Sequence, residues 1–401
     1  MAGCFRGPGM KDRPDQDGLG LSLRSRIAPF IAMDVMREAN ALRRRGADIV
    51  HMEIGQPHTP APRRVRDAAI RAIGTDPLGY TEALGLPALR ERIAQHYRET
   101  YGLSLDAERI VVTTGSSAGF IVAFLALFDQ GNGLLIPEPG YPCYRQIASV
   151  LDLRPVGVRM GAAEGWRPAL TPLRASLARD DIKGLLIASP SNPSGTMLSA
   201  HMLGEIADGC AAAGKVLISD EIYHGLTYTA PAASALSYAP DAIVIGSFSK
   251  YFSMTGWRVG WLIAPKAHVR TIERLQQNLF VSPPAISQHA AMAAFDATEE
   301  LEAYKSVYAA NRALLLDGLP DAGFDALAPA DGAFYIYADV SKHAADSAEL
   351  AANMLAEAGV AVTPGLDFDP VEGSRFIRFA YAGATARIEE ALRRLKAWRP
   401  H

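Results

Sequence analysis

The 401-residue chain predicts an α/β fold: a mostly parallel sheet with helices on both faces, joined to a smaller α+β unit. Three observations carry this. Short runs rich in Val, Ile and Leu recur through the middle of the chain, at 109–114, 133–138, 154–159, 184–189, 215–220 and 242–247. Helical patterns fit between several of them, such as 116–128 and 199–213, and strands apolar throughout need cover on both faces, which points to parallel pairing with crossover helices. After about residue 284 the pattern changes to a long helical stretch followed by separated strands, so the last part of the chain is a different unit.

The elements follow in order. Residues 1–22 are rich in Gly, Pro and Asp and are expected to form a mobile tail. From 29 to 45 apolar residues recur at helical spacing (Ile31, Val35, Ala39, Leu42) up to Gly46. A short strand at 47–53 leads to a Gly-Gln-Pro turn at 55–57, then to helices at 62–73 and 87–101, the second ended by Gly102. Beyond the six central strands, one helical stretch covers 285–319. Strands at 332–340, 359–364 and 375–382 and helices at 346–358 and 386–397 complete the chain. The expected division is a large domain at 55–290 and a small domain built from 23–54 and 291–401.

Composition excludes several classes of function. Forty Lys and Arg against 43 Asp and Glu leave a net charge of −3, which removes the broad attraction to phosphate backbones that nucleic-acid binding uses. The three cysteines, Cys4, Cys143 and Cys210, are odd in number and have no metal-ligand spacing, so neither a disulfide framework nor a metal site is expected. The longest apolar run, 120–128, is about half the ~20 residues of a membrane span, and the first 20 residues hold no apolar signal core. A cytoplasmic protein with no membrane partner is expected.

In sheets of this kind ligands sit beyond the carboxyl ends of the strands. After the strand at 109–114 comes Gly115-Ser116-Ser117, small residues at a helix start whose open N–H groups suit an anion or, equally, plain capping. After 184–189 two prolines and a glycine stiffen a turn around Asn192. After 215–219 stand Asp220, Glu221, Ile222 and Tyr223. After 242–246 comes SFSKYFSMTGWRVG, with Lys250 among aromatic and small residues eight positions before Arg258. Lysine is seldom buried unless paired or functional, and desolvation beside a second cation lowers an amine's pKa toward nucleophilic use near neutrality.

The string SFSKYFSMTGWRVGW resembles the lysine segment of the class I/II aminotransferases, the fold-type I enzymes that use pyridoxal 5′-phosphate. SNPSGT, SDEIY, GYTEALGLPALRERIA and FIRFAYA resemble that family's other signatures, in its order, from about residue 27 to 395. The resemblance implies an aminotransferase that moves an amino group between an L-amino acid and a 2-oxo acid in two half-reactions. It implies Lys250 as the residue joined covalently to the cofactor and as the proton shuttle at the substrate Cα. Asp220 is implied as the partner of the pyridine nitrogen, Asn192 and Tyr223 as donors to the ring's phenolic oxygen, and Tyr141 as a stacking ring. The phosphate is implied to rest on Ser116, Ser117, Ser247, Ser249 and Arg258, with Tyr80 reaching it from the other subunit of a homodimer. Arg378 and the Gly55 backbone are implied to bind the substrate α-carboxylate, and Asn192 to line the same substrate site.

Two departures stand out. Aspartate-specific relatives carry Ser and Thr after the proline of the first helix, whereas here Pro29 is followed by Phe30, Ile31 and Ala32, an apolar wall that favours an apolar or aromatic donor over aspartate. In PGLDFDP, Asp369 stands where relatives often have glycine. Two other readings of the same cofactor site are a C–S β-lyase and a non-catalytic regulatory protein, the latter disfavoured by intact Lys250, Asp220 and Arg378.

Overall fold

The computed structural model describes residues 20–398, so most of the expected 1–22 tail lies outside the described residues. Helix α1 (Ile31–Arg44) precedes a two-residue strand β1 (Val50–His51), and helices α2 (Arg63–Thr75) and α3 (Pro87–Tyr101) lead into the main sheet. That sheet contains β2 (Ile110–Thr113), β3 (Gly133–Glu138), β4 (Arg154–Arg159), β5 (Ile182–Ala188), β6 (Val216–Asp220), β7 (Ile243–Ser247) and β8 (Gly260–Ile263). Its spatial order is β2-β8-β7-β6-β5-β3-β4, and every pairing except the two made by β8 is parallel.

Helices α4 (Gly115–Leu127), α5 (Pro142–Val150), α6 (Leu170–Leu177), α7 (Ala200–Ala213) and α8 (Lys266–Leu279) connect and cover the strands. Alternation along the strands explains why both faces need helices. Leu134 and Ile136 of β3 belong to one hydrophobic cluster and Leu135 to another, and in β7 Ile243 and Ile245 are likewise separated from Val244. Helix α4 is apolar nearly all round because it is packed between β7, β8 and α8.

The remainder comprises α9 (Ala285–Met292), α10 (Thr298–Asp321), β9 (Tyr335–Asp339), α11 (Ser347–Asn353), β10 (Val360–Ala361), β11 (Thr363–Pro364), β12 (Phe376–Ala380) and α12 (Thr385–Ala397). Strands β11, β12 and β9 form a three-stranded antiparallel sheet in that order. Parallel pairing of Val50 with Val360 and of His51 with Ala361 fastens the segment after α1 to this region.

Two expectations are corrected. The run 260–263, read only as part of the lysine segment, is a strand antiparallel to both neighbours. The helical stretch expected over 285–319 is broken by a 3₁₀ turn at Ala293–Asp296. The break sinks Phe295 into an aromatic cluster, its ring 5.3 Å from Phe248 and 5.2 Å from Phe252, with the Arg92 guanidinium 4.6 Å above it.

Candidate active site

The carboxyl ends of β2, β5, β6 and β7 open toward one cavity of about 380 Å³. Lys250, Asn192, Tyr223, Tyr141, Ser116, Ser117, Ser249, Arg258, Gly55, Phe30 and Arg378 all line it, so residues more than 340 positions apart in sequence meet. Its lining includes three cationic side chains, Lys250, Arg258 and Arg378, and no carboxylate.

Lys250 follows β7 on a turn held by the Ser249 N–H, which donates to Ser247 Oγ at 3.0 Å. The ammonium donates to the Gly55 carbonyl at 2.6 Å and lies 5.7 and 5.8 Å from the ring centroids of Tyr223 and Phe334. Burial, then the Arg378 charge, with a further push from Arg258, lowers the amine from 10.5 to about 8, against the pull of Asp220. Near neutral pH a usable fraction of this group is therefore the free base, the form that attacks a carbonyl or takes a proton.

Asp220 ends β6, almost fully buried. It accepts the Tyr144 hydroxyl and, at 3.0 Å, the Ile222 N–H. Burial raises its carboxyl to about 6, opposed by those two donors and by Lys250. Asp220 and Ser247 are the two residues expected at the site, besides Tyr80, that do not line the cavity. Asp220 reaches it through Tyr144, a lining residue. The Ser247 hydroxyl accepts from Ser249 and keeps its own proton to donate.

At the other end of the lysine segment, the first turn of α4 presents the open N–H groups that every helix start leaves. Arg258 closes on it so tightly that a Cβ at Gly115 would stand 2.3 Å from its Nη2, and Gly115 itself has φ +75°. Glycine is the residue that satisfies both constraints. Open N–H groups, the Ser116, Ser117 and Ser249 hydroxyls and the Arg258 guanidinium make a donor set suited to a phosphate dianion.

Arg378 sits in the middle of β12, paired with Tyr337 and Thr363, and is only 1% exposed. Its Nη1 donates to Asn192 Oδ1 at 2.9 Å, and its Nη2 to the Glu53 carbonyl at 2.5 Å and Thr363 Oγ1 at 3.2 Å. The guanidinium plane is held between Tyr335 and Phe368, 4.3 and 4.7 Å from their centroids. Three hydrogen bonds leave part of a five-donor fork available to an arriving carboxylate.

Several lining residues were not singled out from the sequence. Tyr335, read only as part of a strand, bonds the Tyr223 hydroxyl at 2.7 Å and fills the space beside Gly55. Met33 and Met36, not Ile31 and Ala32, join Phe30 in the wall, because α1 turns those two inward. The helical period in α1 contained that information. A Cβ at Gly55 would fall 1.8 Å from the Tyr335 hydroxyl oxygen. Gly55→Ala is therefore expected to cost about 1–3 kcal/mol of stability by overpacking, read as a lower urea midpoint, and to weaken the Lys250 contact.

Asp369 also has its explanation. It is 1% exposed and accepts Arg159 Nη1 on both oxygens, at 3.0 and 2.9 Å, plus the Val371 and Glu372 N–H groups. Where glycine gives freedom, Asp369 gives an ion pair that ties this loop to β4.

A lysine at the end of a sheet strand, an anion cradle at a helix start and a buried arginine fork define an enzyme of the amino-group transfer class, and the chain belongs to the class I and II aminotransferases, whose family profile matches residues 47–395. These enzymes use pyridoxal phosphate. The valine–pyruvate aminotransferase of Mycobacterium tuberculosis is 45% identical over 386 residues, covering 95% of this chain and 98% of that protein. The crystal structure of an aminotransferase from the same organism superposes with a TM-score of 0.91 at 44% identity, over 95% of this chain and 99% of that one. Aspartate aminotransferase of Thermus thermophilus, solved with maleate, superposes with a TM-score of 0.90 at 31% identity, over 94% and 99%. None of the described helices is long and apolar enough to cross a membrane.

Proposed function

We propose that this aminotransferase takes its amino group from an apolar L-amino acid and passes it to a small monocarboxylic 2-oxo acid. The observation that carries this reading is the cavity lining. Beyond Arg378 and Arg258 it offers no further guanidinium to a distal carboxylate, and its wall is Phe30, Met33, Met36 and Ile54. An unpaired carboxylate against that wall would lose its hydration for nothing. The mycobacterial relative's name, with valine and pyruvate as substrates, supports the same choice.

When bound, pyridoxal phosphate supplies an aldehyde and a cationic ring that draws electrons from the substrate Cα. Ser116, Ser117, Ser249 and Arg258 would hold its phosphate, with Ser247 acting through the Ser249 N–H that it accepts. Asp220 would meet the ring nitrogen, where a buried carboxylate favours the protonated ring. Asn192 and Tyr223 would bond the phenolic oxygen, with the Tyr335 hydroxyl fixing Tyr223. Tyr141, held edge-on by Phe30 at 5.8 Å and by Tyr144 at 5.3 Å, would cover one ring face. Arg378 orients the donor by its α-carboxylate, and Lys250 Nζ takes the Cα proton of the oriented donor.

Tyr80 is 87% exposed and does not line its own chain's cavity. In the homodimer on this reading, Tyr80 of the partner subunit completes the phosphate cup. The domain division at 23–54, 55–290 and 291–401 belongs to the same proposal, supported by the confinement of the main sheet to 110–263. The cytoplasm, where free amino acids and 2-oxo acids meet, is the proposed location.

The test is a spectral titration of the purified holoenzyme with L-valine, L-leucine, L-phenylalanine and L-aspartate, followed by pyruvate or 2-oxoglutarate. Rapid conversion of the bound cofactor to its amine form by the apolar donors, reversed by pyruvate, is expected. Conversion by aspartate alone would overturn the donor reading.

A further inference from the structure

Helix α1 carries the apolar wall, yet it has no cap of its own. Phe30 occupies the N-cap position and its side chain accepts nothing. The missing acceptor comes from 336 residues away. Asp367 Oδ1 takes the Ile31 N–H at 3.0 Å and Oδ2 takes the Ala32 N–H at 3.1 Å, with the carboxylate 4% exposed. Both oxygens are thus spent on the first turn of the helix, and the negative charge sits at the positive end of its dipole.

The two residues after Asp367 fix the same short segment to the rest of the site. Phe368 is fully buried, places its ring 4.7 Å from the Arg378 guanidinium and accepts the Gly140 N–H, next to Tyr141, at 3.1 Å. Asp369 holds Arg159 of β4. Three consecutive side chains therefore tie the α1 wall, the carboxylate fork and the main sheet to one another. Of the three, Asp367 is the one that touches the wall, one residue from the lining residue Phe30.

We propose that Asp367 is a specificity-determining positioning residue. It docks the start of α1 so that Phe30, Met33 and Met36 form the substrate wall, and its negative charge beside a cavity that no acid lines counts against a second substrate carboxylate. This deepens the apolar-donor reading and rests on it. Asp367 touches neither substrate nor cofactor; it acts through the helix.

The test compares wild-type, Asp367→Asn and Asp367→Ala holoenzymes by kcat/KM for L-valine and L-aspartate. It also follows amide hydrogen exchange of the segment 23–36. Asn keeps one acceptor and removes the charge, so the valine-to-aspartate ratio is expected to fall on the order of 10-fold. In Asp367→Ala the Ile31 and Ala32 amides are expected to exchange faster than in wild type. The valine KM should rise about 10-fold as the wall loosens, with kcat changing less. The cofactor absorbance of the resting enzyme should be the same in all three, marking an intact Lys250 site. A donor ratio within about twofold of wild type in both variants, or unchanged exchange in Asp367→Ala, overturns the proposal. The two readings fail separately: an aspartate-preferring wild type overturns the donor assignment, whereas a ratio that does not move on substitution overturns the role of Asp367 whichever donor is preferred.

Discussion

Replacing Lys250 by alanine is expected to lower turnover by about 10⁴-fold or more, because one amine is lost both as the covalent anchor and as the base at the substrate Cα. The purified variant should lack the bound-cofactor absorbance that borohydride fixes in wild type. Retained colour, fixed at another lysine, would falsify the assignment. The pH dependence gives an independent check. With its amine lowered to about 8, Lys250 is roughly one-tenth free base at pH 7 and half at pH 8. Uptake of added pyridoxal phosphate by the cofactor-free protein should accordingly quicken roughly fivefold over that unit and level off above it. An amine left at 10.5 would instead keep gaining tenfold per unit.

The same shift has a stability consequence whose sign is opposite to that of a lysine gaining a partner. The folded pKa lies below the unfolded one, so between about 8 and 10.5 the unfolded chain binds more protons and stability rises with pH. Below about 8 the full cost of holding a desolvated ammonium is present. Lys250→Met keeps the apolar stem and removes the charge. Urea denaturation of the cofactor-free proteins at pH 8.0 and 9.5 should show wild type gaining on the order of 1–2 kcal/mol relative to this variant. A constant difference between the two would mean that the amine is not desolvated. Strain of this kind is stored at the site and offset by the two core clusters on either side of the sheet.

Much of this was legible in the sequence because strand ends are where local pattern and function coincide. Asp220, Asn192 and the Lys250 turn each follow a run of Leu, Ile and Val whose burial needs no tertiary information to foresee. What the sequence hid were facts of register and of distant contact. Strand β8 contains Gly260 and Trp261 and lies inside a motif read for its lysine and arginine, so its four residues did not register as a strand. Tyr335 joins the site only because β9 pairs with β12 so that Tyr335 and Arg378 share a face. Asp367 looks like one more acid in a loop until α1 is seen to lack an acceptor of its own. Helical spacing in α1 did mark Val35 and Ala39 as core, and by the same arithmetic it placed Met33 and Met36 on another face, the one that turned out to line the cavity.

Arg378→Ala is expected to reduce kcat/KM about 10³-fold for every donor alike, since the group it binds is common to all of them. The effect should not be rescued by raising the charge elsewhere, because Arg378 supplies geometry as well as charge. Its Nη1 and Nη2 are oriented by Asn192 Oδ1, the Glu53 carbonyl and Thr363 Oγ1, and its plane is fixed by Tyr335 and Phe368. Arg378→Lys keeps a cation but has neither the fork nor the plane, so it should still lose about 10²-fold. Truncation to alanine also leaves Asn192 Oδ1 without a donor, at about 1–3 kcal/mol, while the Thr363 hydroxyl still donates to the Glu53 carbonyl, so part of the loss is expected to come from a loosened strand. Two readouts separate the causes. Methylguanidinium added at millimolar concentration should restore activity to the alanine variant but not to the lysine variant, and the cofactor absorbance at Lys250 should survive in both. The donor ratio must also stay at its wild-type value, because the α-carboxylate fork does not sense the side chain. That constancy is what sets Arg378 apart from Asp367, where the ratio is expected to move and the common binding energy is not.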